Sequence, residues 1–200
     1  MKSIKTIAFF DFDGTITKKD SFLCFLKFTA GSLKYYFGIF ILSPFIFLYF
    51  LGILKDFRIK QYFLKYFLKN KSLNELKQTA VTFSRDLLPD ILRPKAIERI
   101  NWHKSQEHSL VLVSASAGIW LQEFCKDYDF HLISTRLEVI NNKITGNILG
   151  KNCKGPVKLE RIREEFNLEN FQKIYAYGDS GGDKEMMDIA DESFYKPFKN

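Results

Sequence analysis

The amino-acid sequence predicts an α/β protein: a mostly parallel sheet covered by helices on both faces, with a long helical insertion after the first strand. Three observations carry this. Short apolar runs rich in β-formers recur at residues 6–10, 109–113 and 173–177, separated by helix-like stretches. Each run stops at residues able to do chemistry: Asp11 and Asp13 after the first, Ser114 after the second, Asp179 after the third. Residues 20–88 read as helix almost throughout. In open parallel sheets a ligand sits beyond the carboxyl ends of the strands, so these polar ends are expected to meet at one site.

In chain order, residues 6–10 form a buried strand that feeds a tight loop, Asp11-Phe12-Asp13-Gly14-Thr15. After the insertion and Pro94, residues 98–107 continue as helix. Residues 109–113 make the second strand, 117–126 a helix, and 131–134 a third short strand. Residues 137–149 alternate around Asn141-Asn142, the pattern of a hairpin. Residues 156–166 form a helix with proline near its start, where the missing N–H costs nothing. The run 173–177 closes the pattern and ends at Gly178-Asp179.

A chain of 200 residues that is 46% hydrophobic suits one medium domain, or a core with a small insert, and argues against disorder. The net charge of +7 favours anionic partners: phosphorylated metabolites, acidic lipid headgroups or nucleic acid. The lysines are dispersed and no nucleic-acid motif is present, so no nucleic-acid partner is expected. Cys24, Cys125 and Cys153 have no spacing that suggests disulfides or a metal cluster, which suits a reducing, cytoplasmic compartment. Lys2 and Lys5 precede only five apolar or small residues before Asp11, too short a run for a secretory leader.

Two carboxylates as close as Asp11 and Asp13 repel unless a cation lies between them. A hard divalent ion such as Mg²⁺ suits a few carboxylates together with phosphate oxygens. Asp179 and Asp183, in Gly178-Asp179-Ser180-Gly181-Gly182-Asp183, supply further acidic groups on a glycine-rich loop. One aspartate can then serve as nucleophile while another handles protons, with cationic help against the charge of a phosphate.

The segment Asp11-Phe12-Asp13-Gly14-Thr15-Ile16-Thr17 resembles the first motif of the haloacid-dehalogenase-like hydrolase superfamily. Leu112-Val113-Ser114-Ala115-Ser116 resembles its second motif, and the loop from Gly178 to Asp183 its fourth. Residues 136–146 are similar to a hairpin of the phosphoserine-phosphatase-like branch, subfamily IB. The resemblance implies a Rossmann-like parallel-sheet core, residues 1–17 and 90–200, with an inserted α-helical cap at 18–89. It implies a phosphoric monoester hydrolase using Mg²⁺ and an aspartyl-phosphate. Asp11 is then nucleophile and metal ligand, and Asp13 the proton donor and then base, binding the metal through its backbone carbonyl. Asp179 is a metal ligand, and Asp183 orients a metal-bound water or the lysine. Ser114 and the amide of Ala115 hold phosphate, while Gly14 and Thr15 shape the loop. The lysine is Lys158 or Lys154, with Lys158 fitting the pattern better. The second aspartate, Asp13, speaks against dehalogenation. Asp20 stands where phosphoserine phosphatases carry a glutamate, and Gly182 where they carry an asparagine. Asp20 is thus a substrate contact or, preferably, a helix N-cap. Arg58 is either a reader of a substrate carboxylate or, preferably, an exposed arginine.

From Tyr35 to Leu54 the chain has twenty uncharged residues, eight of them aromatic. One crossing of a bilayer would put Asp11 and Ser114 on opposite sides, so a simple span is rejected. Pro44 is expected to break the helix into two short halves. The segment is then a buried cap core, a dimer surface, or a hairpin dipping into one leaflet. In the last case Lys27, Lys34, Lys55, Arg58 and Lys60 would face an anionic membrane. The expected substrate is a small phosphorylated metabolite. The alternatives are a lipid phosphate at the membrane face, as for phosphatidylglycerophosphate phosphatases of this branch, or a non-catalytic membrane- or partner-binding relic.

Overall fold

The structure, a computed structural model, describes residues 5–199, which leaves Lys2 outside the described part. Strand β1 (Thr6–Phe10) is buried along its whole length. Its Ile7 and Phe9 enter one core and its Ala8 and Phe10 another, the two-residue alternation of a strand packed on both faces. After an irregular turn at Phe12–Ile16 the chain enters the insertion. This contains α1 (Ser21–Ala30), α2 (Ser32–Phe50), α3 (Asp56–Leu68), α4 (Leu73–Asp86) and the short α5 (Leu88–Ile91). The chain returns beside its point of exit. Lys18 N–H donates to the Ile91 carbonyl at 2.7 Å, Arg93 N–H to the Ile16 carbonyl at 2.8 Å, and Thr17 pairs with Leu92.

The sheet resumes after α6 (Pro94–Ser105) with β2 (Ser109–Ala117), α7 (Gly118–Tyr128), β3 (His131–Ile140) and β4 (Lys143–Leu149). Then follow α8 (Pro156–Glu165), β5 (Lys173–Gly178), α9 (Lys184–Asp188) and β6 (Glu192–Tyr195). The strand order is β4-β3-β2-β1-β5-β6, parallel except where β4 folds back on β3. The predicted α/β class, a mostly parallel sheet with a helical insertion, is what the chain adopts. Because β1 lies between β2 and β5, the residues following these three strands are neighbours.

Several elements differ from the sequence reading. The third strand and the hairpin are one piece: β3 runs on to Ile140, and Asn141 and Asn142 turn with φ of 50° and 60°. Asparagine tolerates this left-handed region better than most residues. Strand β6 was not anticipated, because Glu192-Ser193-Phe194-Tyr195 is short and half polar. Pro44 does not break α2, which runs unbroken for 19 residues. The proline nitrogen cannot serve the Phe40 carbonyl four residues earlier, and the Ser43 hydroxyl donates to that carbonyl instead, at 2.7 Å. Nor is this segment a buried cap core, since only Gly38 and Leu42 of α2 are buried.

The insertion is anchored through α1 and α4. Phe25 lies between Phe83 of α4 and Trp120 of α7, at ring-centroid distances of 5.3 and 4.9 Å. On α3, Gly146 of β4 approaches the Lys65 backbone so closely that a β-carbon would not fit.

Candidate active site

Strand β1 ends at Asp11, whose N–H donates to the Tyr177 carbonyl of β5 at 2.9 Å and so extends the sheet pairing by one residue. This fixes a carboxylate in a buried position at the sheet's carboxyl edge. The Lys158 ammonium, from the first turns of α8, donates to Asp11 Oδ1 at 2.6 Å, to Asp183 Oδ1 at 2.7 Å and to the Val113 carbonyl at 2.6 Å. The Thr15 hydroxyl donates to Asp11 Oδ2 at 3.0 Å. Of the two lysines left open by the sequence, Lys158 is the one at Asp11. Lys154 instead pairs with Asp56 of α3 at 2.9 Å.

Asp13 points to the cap side of the same cleft. Its Oδ1 accepts from the Ser21 N–H at 2.6 Å and its Oδ2 from the Ser116 hydroxyl at 2.5 Å. The Thr17 hydroxyl donates to the Lys19 carbonyl at 2.7 Å and fixes the loop on its far side. Gly14 has a φ of 87°, and a β-carbon there would collide with the Asp179 carboxylate. This is a position where glycine alone allows the close approach.

Asp183 is saturated. Besides Lys158 on Oδ1, its Oδ2 accepts from Asp179 N–H at 3.1 Å, Ser180 N–H at 3.0 Å and the Ser180 hydroxyl at 2.9 Å. Burial would raise its carboxyl, but Lys158 and the Ser180 hydrogen bonds outweigh that and hold it below the usual range. Burial acts on Lys158 too, in the opposite direction, yet Asp11 and Asp183 hold its ammonium above the ordinary lysine value. Asp11 is the exception among these groups. Burial pushes its carboxyl up to about 7 against the pull of Lys158, and Asp183 and Asp13 add to the rise.

Ligand oxygens of Asp11, Asp179 and Asp183 lie within 4.8 Å of one another, the one such acidic group among the described residues. Asp11 and Asp179 offer carboxylate oxygens, as a hard divalent ion prefers, while both oxygens of Asp183 are already engaged by Lys158, Asp179 and Ser180. Burial outweighs even Lys158 at Asp11, so further positive charge there would favour its ionised form, and the Lys199 ammonium sits 2.8 Å from Asp179 Oδ2. These residues fit Mg²⁺. The Asp13 carboxylate lies outside the group, which leaves its backbone carbonyl as its route to a metal.

The cleft above these groups holds about 450 Å³. At the end of β2, the pairing with β3 shifts register between Ser114 and Ala117, and Ala115 and Ser116 line the cleft. Ser114 itself is fully buried, its hydroxyl accepting from Ser116 N–H at 3.0 Å. Asp20 caps α1, accepting from Leu23 N–H at 3.0 Å, and also lines the cleft. Although Asp20 meets solvent, the cleft walls around its carboxyl, then Asp13, raise its pKa above the ordinary aspartate value. At Gly182 a β-carbon would meet the Lys154 side chain at 2.9 Å, so a larger residue there would displace that lysine. Arg58 is exposed, as read.

Two contributors escaped the sequence reading. Ser116 holds Asp13, although it belongs to the second motif. Lys60 does not face outward with the other cap lysines. It donates to the Ala115 carbonyl at 2.9 Å across the cleft, and burial lowers its pKa. Its position on α3 was the signal, since it falls on the same side as the buried Ile59, Phe63, Leu64 and Phe67.

A model of the haloacid dehalogenase-like hydrolase family matches residues 8–188. Protein CicA of Caulobacter vibrioides (strain NA1000 / CB15N) is 35% identical over 196 residues, which cover 95% of this chain and 85% of CicA. A structure of a protein of unknown function from Bordetella pertussis Tohama I is similar, with a TM-score of 0.83 at 21% identity, over 95% of this chain and 89% of that one. A phosphoserine phosphatase solved as a phospho-aspartyl intermediate analogue has a TM-score of 0.61 at 19% identity, over 95% of this chain and 85% of its own. The two solved structures share the fold.

Proposed function

This chain belongs to the haloacid dehalogenase-like hydrolases, and from that premise we propose that it is a magnesium-dependent phosphatase cleaving phosphate monoesters through an aspartyl-phosphate on Asp11. One observation carries the reading. A buried aspartate, held by Lys158 and Thr15, shares a cleft with a second aspartate two residues on that is independently held by Ser21 and Ser116. Nucleophile and proton carrier are thereby kept apart by their own hydrogen-bond partners.

An Asp11 carboxylate oxygen attacks phosphorus, the ester P–O bond breaks, and the leaving oxygen takes the proton of Asp13. Asp13, now ionised, accepts a proton from water. The water oxygen attacks phosphorus, the bond to Asp11 breaks, and phosphate departs. Lys158 and the Ala115 amide hold phosphoryl oxygens, and Gly14 and Thr15 keep the loop in shape. The buried Ser114 hydroxyl, expected from the sequence to touch phosphate, instead fixes the end of β2 by accepting from Ser116 N–H. Asp183 positions Lys158 and the loop of Asp179. Asp11, Asp179 and the Asp13 carbonyl would hold Mg²⁺, whose charge offsets that of the carboxylates and the phosphate.

Residues 1–17 and 90–200 serve as catalytic core and 18–89 as cap, a division supported by the backbone pairing of Thr17 with Leu92. The setting we assign is the cytoplasm, supported by three cysteines without a pairing pattern. The test is turnover of p-nitrophenyl phosphate. Activity should need Mg²⁺, vanish on chelation, and fall about a thousandfold or more in Asp11→Asn. Undiminished turnover by that variant would refute the proposal.

A further inference from the structure

We propose that the outward face of α2 docks this protein on an anionic lipid bilayer, and that the cleft takes a lipid phosphate monoester presented there. The second half rests on the phosphatase reading above.

Helix α2 has two faces of different fate. On one side, Gly38 lies against Tyr66 and Phe67 with no room for a β-carbon, Leu42 is buried, and Phe45 stacks on Tyr62 at 4.3 Å. The other side carries Leu33, Phe37, Phe40 and Phe47, exposed by 91, 61, 75 and 63%. Their spacing of four, three and seven puts them on one stripe, which Leu51 continues at the helix end, with Ile53 also exposed just beyond. Single exposed apolar residues are ordinary, but a continuous row marks a surface that is covered in use.

Charge decides what covers it. Between Asp20 and Asp56 the chain carries Lys27, Lys34 and Lys55 and no acidic residue. A second copy docking through the same face would set these lysines against their equivalents. An anionic lipid surface pairs with the lysines and takes the aromatic stripe into its interface. A helix packed on its own protein along one side lies in the membrane plane and does not cross it.

The same helix connects this surface to the cleft. Ile39, Ile46 and Tyr49 of α2, with Ile59 and Phe63 of α3, line the cleft around the carboxylates. Phe50 lines it too and is 79% exposed, so the cleft opens at the edge of the outward stripe. A substrate with its phosphate at Asp11 therefore meets apolar walls, and beyond them the bilayer.

Co-sedimentation of the full chain with phosphatidylcholine vesicles, with and without one-third phosphatidylglycerol, tests the docking. Wild type and the inactive Asp11→Asn variant should both pellet with the anionic vesicles, less as salt rises and little with neutral ones. Combined Phe37→Ser, Phe40→Ser and Phe47→Ser should weaken binding at least tenfold yet leave turnover of p-nitrophenyl phosphate unchanged. Phosphatidic acid in those vesicles should be hydrolysed with a kcat/KM at least tenfold above that of glycerol 3-phosphate, a preference the triple variant loses. Wild type remaining in the supernatant would overturn the docking, as would a solution dimer that the triple variant dissociates. Equal use of glycerol 3-phosphate would overturn the substrate assignment while leaving the phosphatase intact. Vesicle binding without turnover of any phosphate ester would instead sink the phosphatase reading, and the substrate assignment with it.

Discussion

Gly14 shows how tightly single residues are committed around Asp11. Its positive φ costs an ordinary residue roughly 1–2 kcal/mol, and a β-carbon would strike the Asp179 carboxylate. Gly14→Ala should therefore lower stability by about that amount and push Asp179 away from Asp11. Thermal melts should show the variant gaining less Tm from added Mg²⁺ than wild type; an equal gain would mean that Asp179 takes no part in holding the ion. The acidic residues were legible in the sequence because each follows a buried β run, where alternation and strand ends constrain them. Lys158 was legible only as one of a pair, since Lys154 and Lys158 are separated by about one helical turn and only the fold shows which one reaches Asp11. Lys60 was misread because composition marks a lysine as solvent-facing, whereas its helix turns it inward onto the Ala115 carbonyl.

At the scale of elements, the strands that carry the site were read correctly because burial on both faces leaves a nearly continuous apolar run. What failed was local. The break expected at Pro44 came from a rule about backbone N–H groups, and a neighbouring serine supplies the missing donor to Phe40. The burial expected for α2 came from its apolarity, which cannot distinguish a core helix from one that turns its face to another apolar phase. The hairpin was placed correctly but cut from β3, because the alternation of 137–149 hides its continuity with the buried residues before it. Strand β6 pairs with β5 through backbone bonds that need no particular side chains, so little in its sequence announces it.

Across the whole molecule, one network couples the sheet to pH. His103 of α6 is buried between layers, its Nε2 2.9 Å from the Tyr177 hydroxyl and its Nδ1 2.8 Å from His108 Nδ1. Tyr177 in turn stacks on Phe10 at 4.3 Å, one residue before Asp11. Burial, with His108 and Arg99 adding to it, lowers His103 to about 3. An unfolded histidine titrates near ~6.5, so between these values the unfolded chain binds a proton that the native state refuses. This contribution is present in full above that range and is lost as pH falls, by about 1.4 kcal/mol per pH unit. Asp11 runs the other way. Its raised carboxyl takes up a proton in the native state first, so acidification below about 7 favours folding. Urea unfolding at pH 7 and pH 5 should therefore show His103→Gln losing less stability on acidification than wild type. Equal losses would mean that His103 is not the buried neutral group described.

In this mechanism Asp11 carries the phosphoryl group. Its most direct test is incubation of the Asp13→Asn variant with p-nitrophenyl phosphate, whose leaving group needs no proton from Asp13, and Mg²⁺, then rapid acid quench and mass mapping of the peptides. A single acid-stable, hydroxylamine-labile phosphoryl group is expected on the peptide containing Asp11, absent when Asp11 is also replaced by asparagine. Turnover of the ester by the unsubstituted protein, with no phosphoryl group trapped on that peptide or with one on any other residue, would contradict it.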